Sequence, residues 1–283
     1  MITTMLRSKT EPVSTNKTSF LNRRTLKTGA AYAFAVALWI ALWWIAAKRI
    51  GIELILPTPS AVIKALGRLF AQKGFLGKVF LSMLRILGGF GCGVLCATVF
   101  AVLAYLLSAV RIFLAPLMKV VRATPVASFI LIAILWLPSD VVPAFIAFLM
   151  VVPIVYGNVY AALDGTSREL SEMTVMYGFD VIKKIAYLYV PTLLPYLGAA
   201  CATSLGLAWK SGIAAEVLCV TKNSIGEGLY LSNIYFETAD LFAWTVTVVV
   251  MSVLLEFAAK GVAVLIKNVR GKRHGRNKSR EDN

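Results

Sequence analysis

The chain has 283 residues, 59% of them hydrophobic and only 15% charged, with a formal net charge of +15 and a mean hydropathy of +0.77. A soluble domain carries about 25% charged and about 45–50% apolar residues, so a fold exposed to water on all sides is excluded. Nucleic acid is not the reason for the basic excess. Arg7, Lys9, Lys17, Arg23, Arg24 and Lys27 precede the first apolar run, and Lys267, Arg270, Lys272, Arg273, Arg276, Lys278 and Arg280 follow the last.

Uncharged stretches run Gly29–Ala47, Ile86–Val110, Ala123–Ser139, Val141–Leu163, Ile185–Trp209 and Leu241–Leu255. A transmembrane helix needs about 20 mostly apolar residues. The pattern predicts an all-α membrane protein with six transmembrane helices, over 29–49, 80–107, 116–137, 141–163, 183–219 and 240–266. Basic tails at 1–28 and 267–283 flank this domain. Lys and Arg gather on cytoplasmic flanks, so both termini are expected in the cytoplasm, and the tails can also attract anionic lipid. No signal peptide is expected, because a long polar segment precedes the first apolar run. Cys92, Cys96, Cys201 and Cys219 show no metal spacing and His274, in the basic tail, has no partner set. Neither a cofactor nor a catalytic site is therefore expected.

In chain order, Pro57 and Pro59 disfavour helix around Leu56–Thr58. Ser60 is placed to cap a short amphipathic helix, with Val62, Leu66 and Leu69 on one side and Lys64 and Arg68 on another. In the second span, Gly89, Gly93 and Ala97, with Gly88, Cys92 and Cys96 beside them, form small-residue faces for close helix contact. A phosphate loop would follow a strand and end in Lys-Ser/Thr, and this glycine run does neither. Arg111 marks a cytoplasmic turn, and the third span carries Lys119, Arg122 and Pro125 in its first turns. Pro143 and Pro153 lie in the fourth span. Thr221–Asp240 reads as a polar, acidic outer loop before the last span.

The segment between the fourth and fifth spans is the most informative. Asp164-Gly165 is a turn signal. Thr166 and Glu169 have capping-box spacing, and Leu170, Met173 and Tyr177 recur at helical spacing. Gly178 suits the left-handed residue that stops a helix, and Asp180 can cap the next one. The result is a helix–Gly–helix elbow beside the bilayer. Pro191 and Pro195 then remove backbone donors from the fifth span, which neighbouring helices or water must satisfy.

This elbow resembles a motif of ABC-importer permeases, Glu-Ala-Ala followed by Gly and a downstream Pro. Here it reads Glu172-Met173-Thr174, Gly178 and Pro191, with the spacings kept and both alanines replaced. LPTPS at Leu56–Ser60, RILGGF at Arg85–Phe90, VPTLLPYL at Val190–Leu197 and LGLAW…AAEVL within Leu205–Leu218 resemble the nitrate/sulfonate/taurine branch. The resemblance implies that the elbow is a cytoplasmic coupling helix, in which Glu169, Leu170, Glu172, Met173, Thr174, Tyr177 and Gly178 meet a separate ABC ATPase subunit. It also implies an extracytoplasmic solute-binding protein, a second permease copy and a plasma-membrane location. The bulkier Met173-Thr174 implies a dedicated ATPase groove, and Pro191 and Pro195 serve as hinge positions. An ion-coupled secondary transporter is the alternative, but it would favour paired inverted repeats, which the sequence does not show.

Ionisable residues inside spans are expensive and point to function. Arg85 either snorkels outward or serves transport. Lys210, beside Trp209 and Ser211, is expected to face the translocation pathway and favour a negatively charged solute. Glu216 lies six residues on, so a direct pair with Lys210 would need a break near Gly212. Glu256 and Lys260 have pairing spacing.

Overall fold

A computed structural model describes residues 17–281, and every regular element in them is helical. Arg7 and Lys9, and the side chains of the other basic flanking residues, Lys260 and His274, fall outside the described residues.

The chain divides into two units, 1–61 and 62–283. In the first, α1 (Lys17–Ile50) ends in an apolar stretch, Ala31–Ile50, long enough to cross a membrane. The Trp43 indole donates to the carbonyl of Pro57 at 3.1 Å. The chain then enters α2 (Pro59–Ala71), where the Thr58 hydroxyl accepts from the Ala61 N–H at 3.3 Å. Capping thus falls to Thr58 and not Ser60, because the fixed φ of Pro59 suits the first helical position.

The second unit is built around α6 (Val142–Asp164), whose side chains are mostly buried. Against it pack α3 (Phe75–Leu106) and α9 (Val190–Cys219). The α3 contact is made by the expected small residues. A Cβ on Gly89 would overlap the backbone carbonyl of Ala144, and one on Gly93 would press on Val151 at 3.0 Å. Of the two small-residue faces only this one is packed, since Gly88 has nothing within 4 Å and Cys92 is exposed.

Three boundaries differ from the sequence expectation. The second span's helix begins at Phe75, five residues before Phe80, directly after the left-handed Gly74, and Lys78 in its first turn pairs with Glu227 at 2.9 Å. Arg111 is not in a turn. The single extended residue Leu107 separates α3 from α4 (Ser108–Ala123), and Arg111 lies within α4. The third span is not one helix. It breaks at Thr124-Pro125 into α4 and α5 (Val126–Trp136), bent by 106°, since a residue before proline is pushed out of the helical region. Thr124 sits at ψ 133 accordingly. The bent pair is held by a core of Val121, Ile130 and Ala133 against Val142, Ile146, Met150 and Ala215.

After α6 come α7 (Arg168–Met176) and α8 (Val181–Lys184). One π-turn, Ile185–Tyr189, leads into α9. The loop expected at Thr221–Asp240 contains a helix, α10 (Ile225–Ile234), before the long α11 (Thr238–Glu281). Among the described residues, five helices are long and apolar enough to cross a membrane, or six if the bent pair is one span.

Candidate functional site

The elbow is a fully capped unit. Ser167, not Thr166, is its N-cap, and its hydroxyl accepts from the Leu170 N–H at 3.4 Å. Thr166 is drawn back to α6, donating its hydroxyl to the Ala162 carbonyl at 3.1 Å. At the other end Gly178 is left-handed, φ +61. Its N–H reaches the Val175 carbonyl at 3.0 Å and the Phe179 N–H reaches that of Thr174 at 2.9 Å. That pair of bonds is the Schellman motif. Asp180 stands immediately before α8.

The two residues that replace the family's alanines are placed differently. Thr174 is buried and donates to the Ser171 carbonyl at 2.7 Å. Met173 points outward with Leu170, and Val175, Met176 and Tyr177 are more exposed still. Glu169 and Glu172 are exposed, Glu169 in the first turn where the helix dipole favours a carboxylate. A nine-residue helix thus presents several large apolar side chains without cover. Isolated apolar residues on a surface are ordinary, but a contiguous patch marks an interaction site.

Pro191 is half-buried at the start of α9 and Pro195 is exposed inside it. The π-turn immediately before Pro191 carries the Val190 N–H to the Ile185 carbonyl.

The other named residues fall into two separate places. Lys210 and Trp209 line a cavity of about 500 Å³ between α9 and α11, together with Thr203, Ser252 and Glu256. Trp209 is fully buried, and its indole donates to the Val248 carbonyl of α11 at 3.1 Å. Lys210 is exposed.

Glu216 lies elsewhere, fully buried against the start of α10. Its Oε2 accepts from the Ser82 hydroxyl at 2.8 Å and from the Gly226 N–H at 3.2 Å. The Ser82 oxygen in turn accepts from the Ile225 N–H at 2.9 Å. Oε1 of Glu216 has no hydrogen-bond partner among the described residues. Arg85, half-buried, extends to the Lys222 and Asn223 carbonyls, both at 3.4 Å. A direct Lys210–Glu216 pair is therefore not formed, and α9 is unbroken at Gly212.

Sequence reasoning missed α10 and the polar cluster at its start. The signal was present as Ser224-Ile-Gly-Glu227. The Ser224 hydroxyl accepts from the Glu227 N–H at 2.9 Å, and Glu227 reaches back to the Asn223 N–H at 3.0 Å, a variant of the capping box. It also missed Arg122, whose guanidinium crosses to α6, donates to the Pro153 carbonyl and fills the notch left by Gly157.

Comparison with known proteins agrees with the sequence resemblance. Residues 89–268 match the family described as binding-protein-dependent transport system inner membrane component. A Bacillus subtilis protein named as an aliphatic sulfonates transport permease is 24% identical over 78% of this chain and 80% of its own length. The taurine transport system permease of Escherichia coli is 19% identical over 80% and 85%. A protein named as an ABC transporter permease in Brucella melitensis is 24% identical over 71% and 82%.

Proposed function

Because the chain belongs to the family of binding-protein-dependent transport system inner membrane components, we propose that it is the membrane subunit of an ATP-driven importer for a small polar or anionic organic solute. It works as a pair of copies in the plasma membrane, with both termini in the cytoplasm, fed by an extracytoplasmic binding protein. A separate ATPase supplies the energy, and alternating access carries the solute across.

One observation carries this reading. Helix α7 is fixed at both ends by its own caps, yet Leu170, Met173, Met176 and Tyr177 are exposed. A short rigid helix with apolar anchors is suited to a partner's groove. Closure of two ATPase subunits would displace two such helices, and the stiffness of the elbow would pass that motion to α9. The relatives named for sulfonates and taurine support an anionic solute.

The test is uptake by vesicles containing the chain, its ATPase and its binding protein. Uptake is expected to require ATP and to fall with Met176→Asp while the chain stays folded. Uptake that runs on an ion gradient without ATP would overturn the reading in favour of a secondary transporter.

A further inference from the structure

The α9–α11 cavity holds two charged side chains, and their situations differ. Glu256 is already engaged in an interaction of its own. Lys210 has no hydrogen bond or ion pair to any described residue. The acid nearest in sequence, Glu216, is taken up by Ser82 and Gly226.

A lysine inside a membrane-spanning helix is costly and is kept where it meets a cavity or a counter-charge. Lys210 stands nine residues before the end of α9 at Cys219. At about 1.5 Å per residue this is roughly 13 Å of helix, well inside the apolar segment Ile182–Cys219. Glu256 lines the same cavity without forming an ion pair with Lys210, so the Lys210 ammonium is open to an anion that enters. A volume of about 500 Å³ suits a small organic molecule, and Thr203 and Ser252 add hydroxyl groups to the wall.

We infer that this cavity is a solute subsite in which the Lys210 ammonium receives the anionic end of the transported molecule, a sulfonate, carboxylate or phosphate group. Trp209, fully buried, backs the wall from behind. It is fixed by its bond to Val248, so it shapes the subsite without rearranging. The inference rests on the proposed transport role for its biological meaning, but anion binding at Lys210 can be tested without any ATPase.

The experiment uses the full chain in lipid vesicles, with the four native cysteines replaced and Thr203→Cys as a reporter in the cavity. The rates of an anionic and a cationic methanethiosulfonate reagent are compared, each normalised to a free thiol. The anionic reagent is expected to be favoured by about tenfold, Lys210→Arg to keep the preference, and Lys210→Met to abolish it. Millimolar ethanesulfonate is expected to slow the labelling, and its uncharged ethyl methyl sulfone analogue is not. No reaction at Thr203→Cys, no preference between reagents, or a preference that survives Lys210→Met would each overturn the inference. A lipid phosphate seated on Lys210 would show as lost discrimination and lost protection. Because no ATPase is present, failure here leaves the coupling role of α7 standing, and failure of ATP-driven uptake leaves this result intact.

Discussion

The backbone N–H of Gly226 donates into the carboxylate of Glu216 at 3.2 Å, and a Cβ on Gly226 would overlap the Glu216 side chain. One carboxylate oxygen thereby joins α3, through Ser82, to the start of α10. Glu216→Leu is expected to strand two buried donors, at a cost of about 1–3 kcal/mol each. Glu216→Gln keeps an acceptor and should cost less. Thermal unfolding in nanodiscs should rank wild type, Gln and Leu in that order, and a Leu variant as stable as wild type would contradict the assignment. Gly226→Ala should resemble the Leu variant.

A neighbouring pair separates exposed from buried electrostatics. Lys78 and Glu227 pair at 2.9 Å, but both side chains are partly open, at 29% and 19% exposure. Such pairs contribute about 0.2–1 kcal/mol at most, and Asn223 also holds Glu227. Lys78→Met should therefore shift the melting temperature less than Ser82→Ala, which removes a buried hydroxyl serving two partners. The reverse order would mean that the ion pair, not the hydroxyl, secures α10.

Adjacent glycines in α3 give an internal control for helix packing. Gly89→Ala drives a methyl into the Ala144 carbonyl, which is backbone and cannot swing away. Overpacking of this kind costs about 1–3 kcal/mol. Gly88→Ala meets open space and should leave stability nearly unchanged. Equal losses at both positions, measured by unfolding in the same lipid, would refute the α3–α6 contact.

The left-handed Gly178 tests the elbow. A branched residue at φ +61 is strained by about 1–2 kcal/mol, whereas Asn tolerates that region. Gly178→Val should abolish ATPase-coupled uptake with little change in global unfolding, and Gly178→Asn should keep most of it. If both variants transport normally, the stop geometry of α7 is irrelevant to coupling.

Short-range signals are legible in the sequence. Gly178, the small-residue face at Gly89 and Gly93, and the turn after Asp164 all follow from one residue type meeting one backbone need. Capping was misplaced by a residue at Thr166, because side chains there compete and Thr166 can instead bond back to Ala162. What stayed hidden depended on distant partners. An uncharged run gives no hint that Thr124-Pro125 folds back on Met150 and Ala215, and nothing local joins Ser82 to Glu216. Trp209 and Lys210 are sequence neighbours, yet adjacent helical residues point in different directions. Trp209 is a buried anchor, and Lys210 is exposed at the cavity.

The π-turn at Ile185–Tyr189 has a consequence in phase. A wide turn takes in an extra residue, so the helical faces before it are offset from those of α9 by about 100°. Leu188 is the one side chain of that turn that is buried. Deleting a single residue there would restore a regular helix and rotate α8 and the elbow about the axis of α9 without touching a cap, a glycine or a proline. The angular setting of α7's exposed apolar side chains relative to α9 is therefore encoded in residue number across five positions, and an insertion or deletion would change it where a substitution would not.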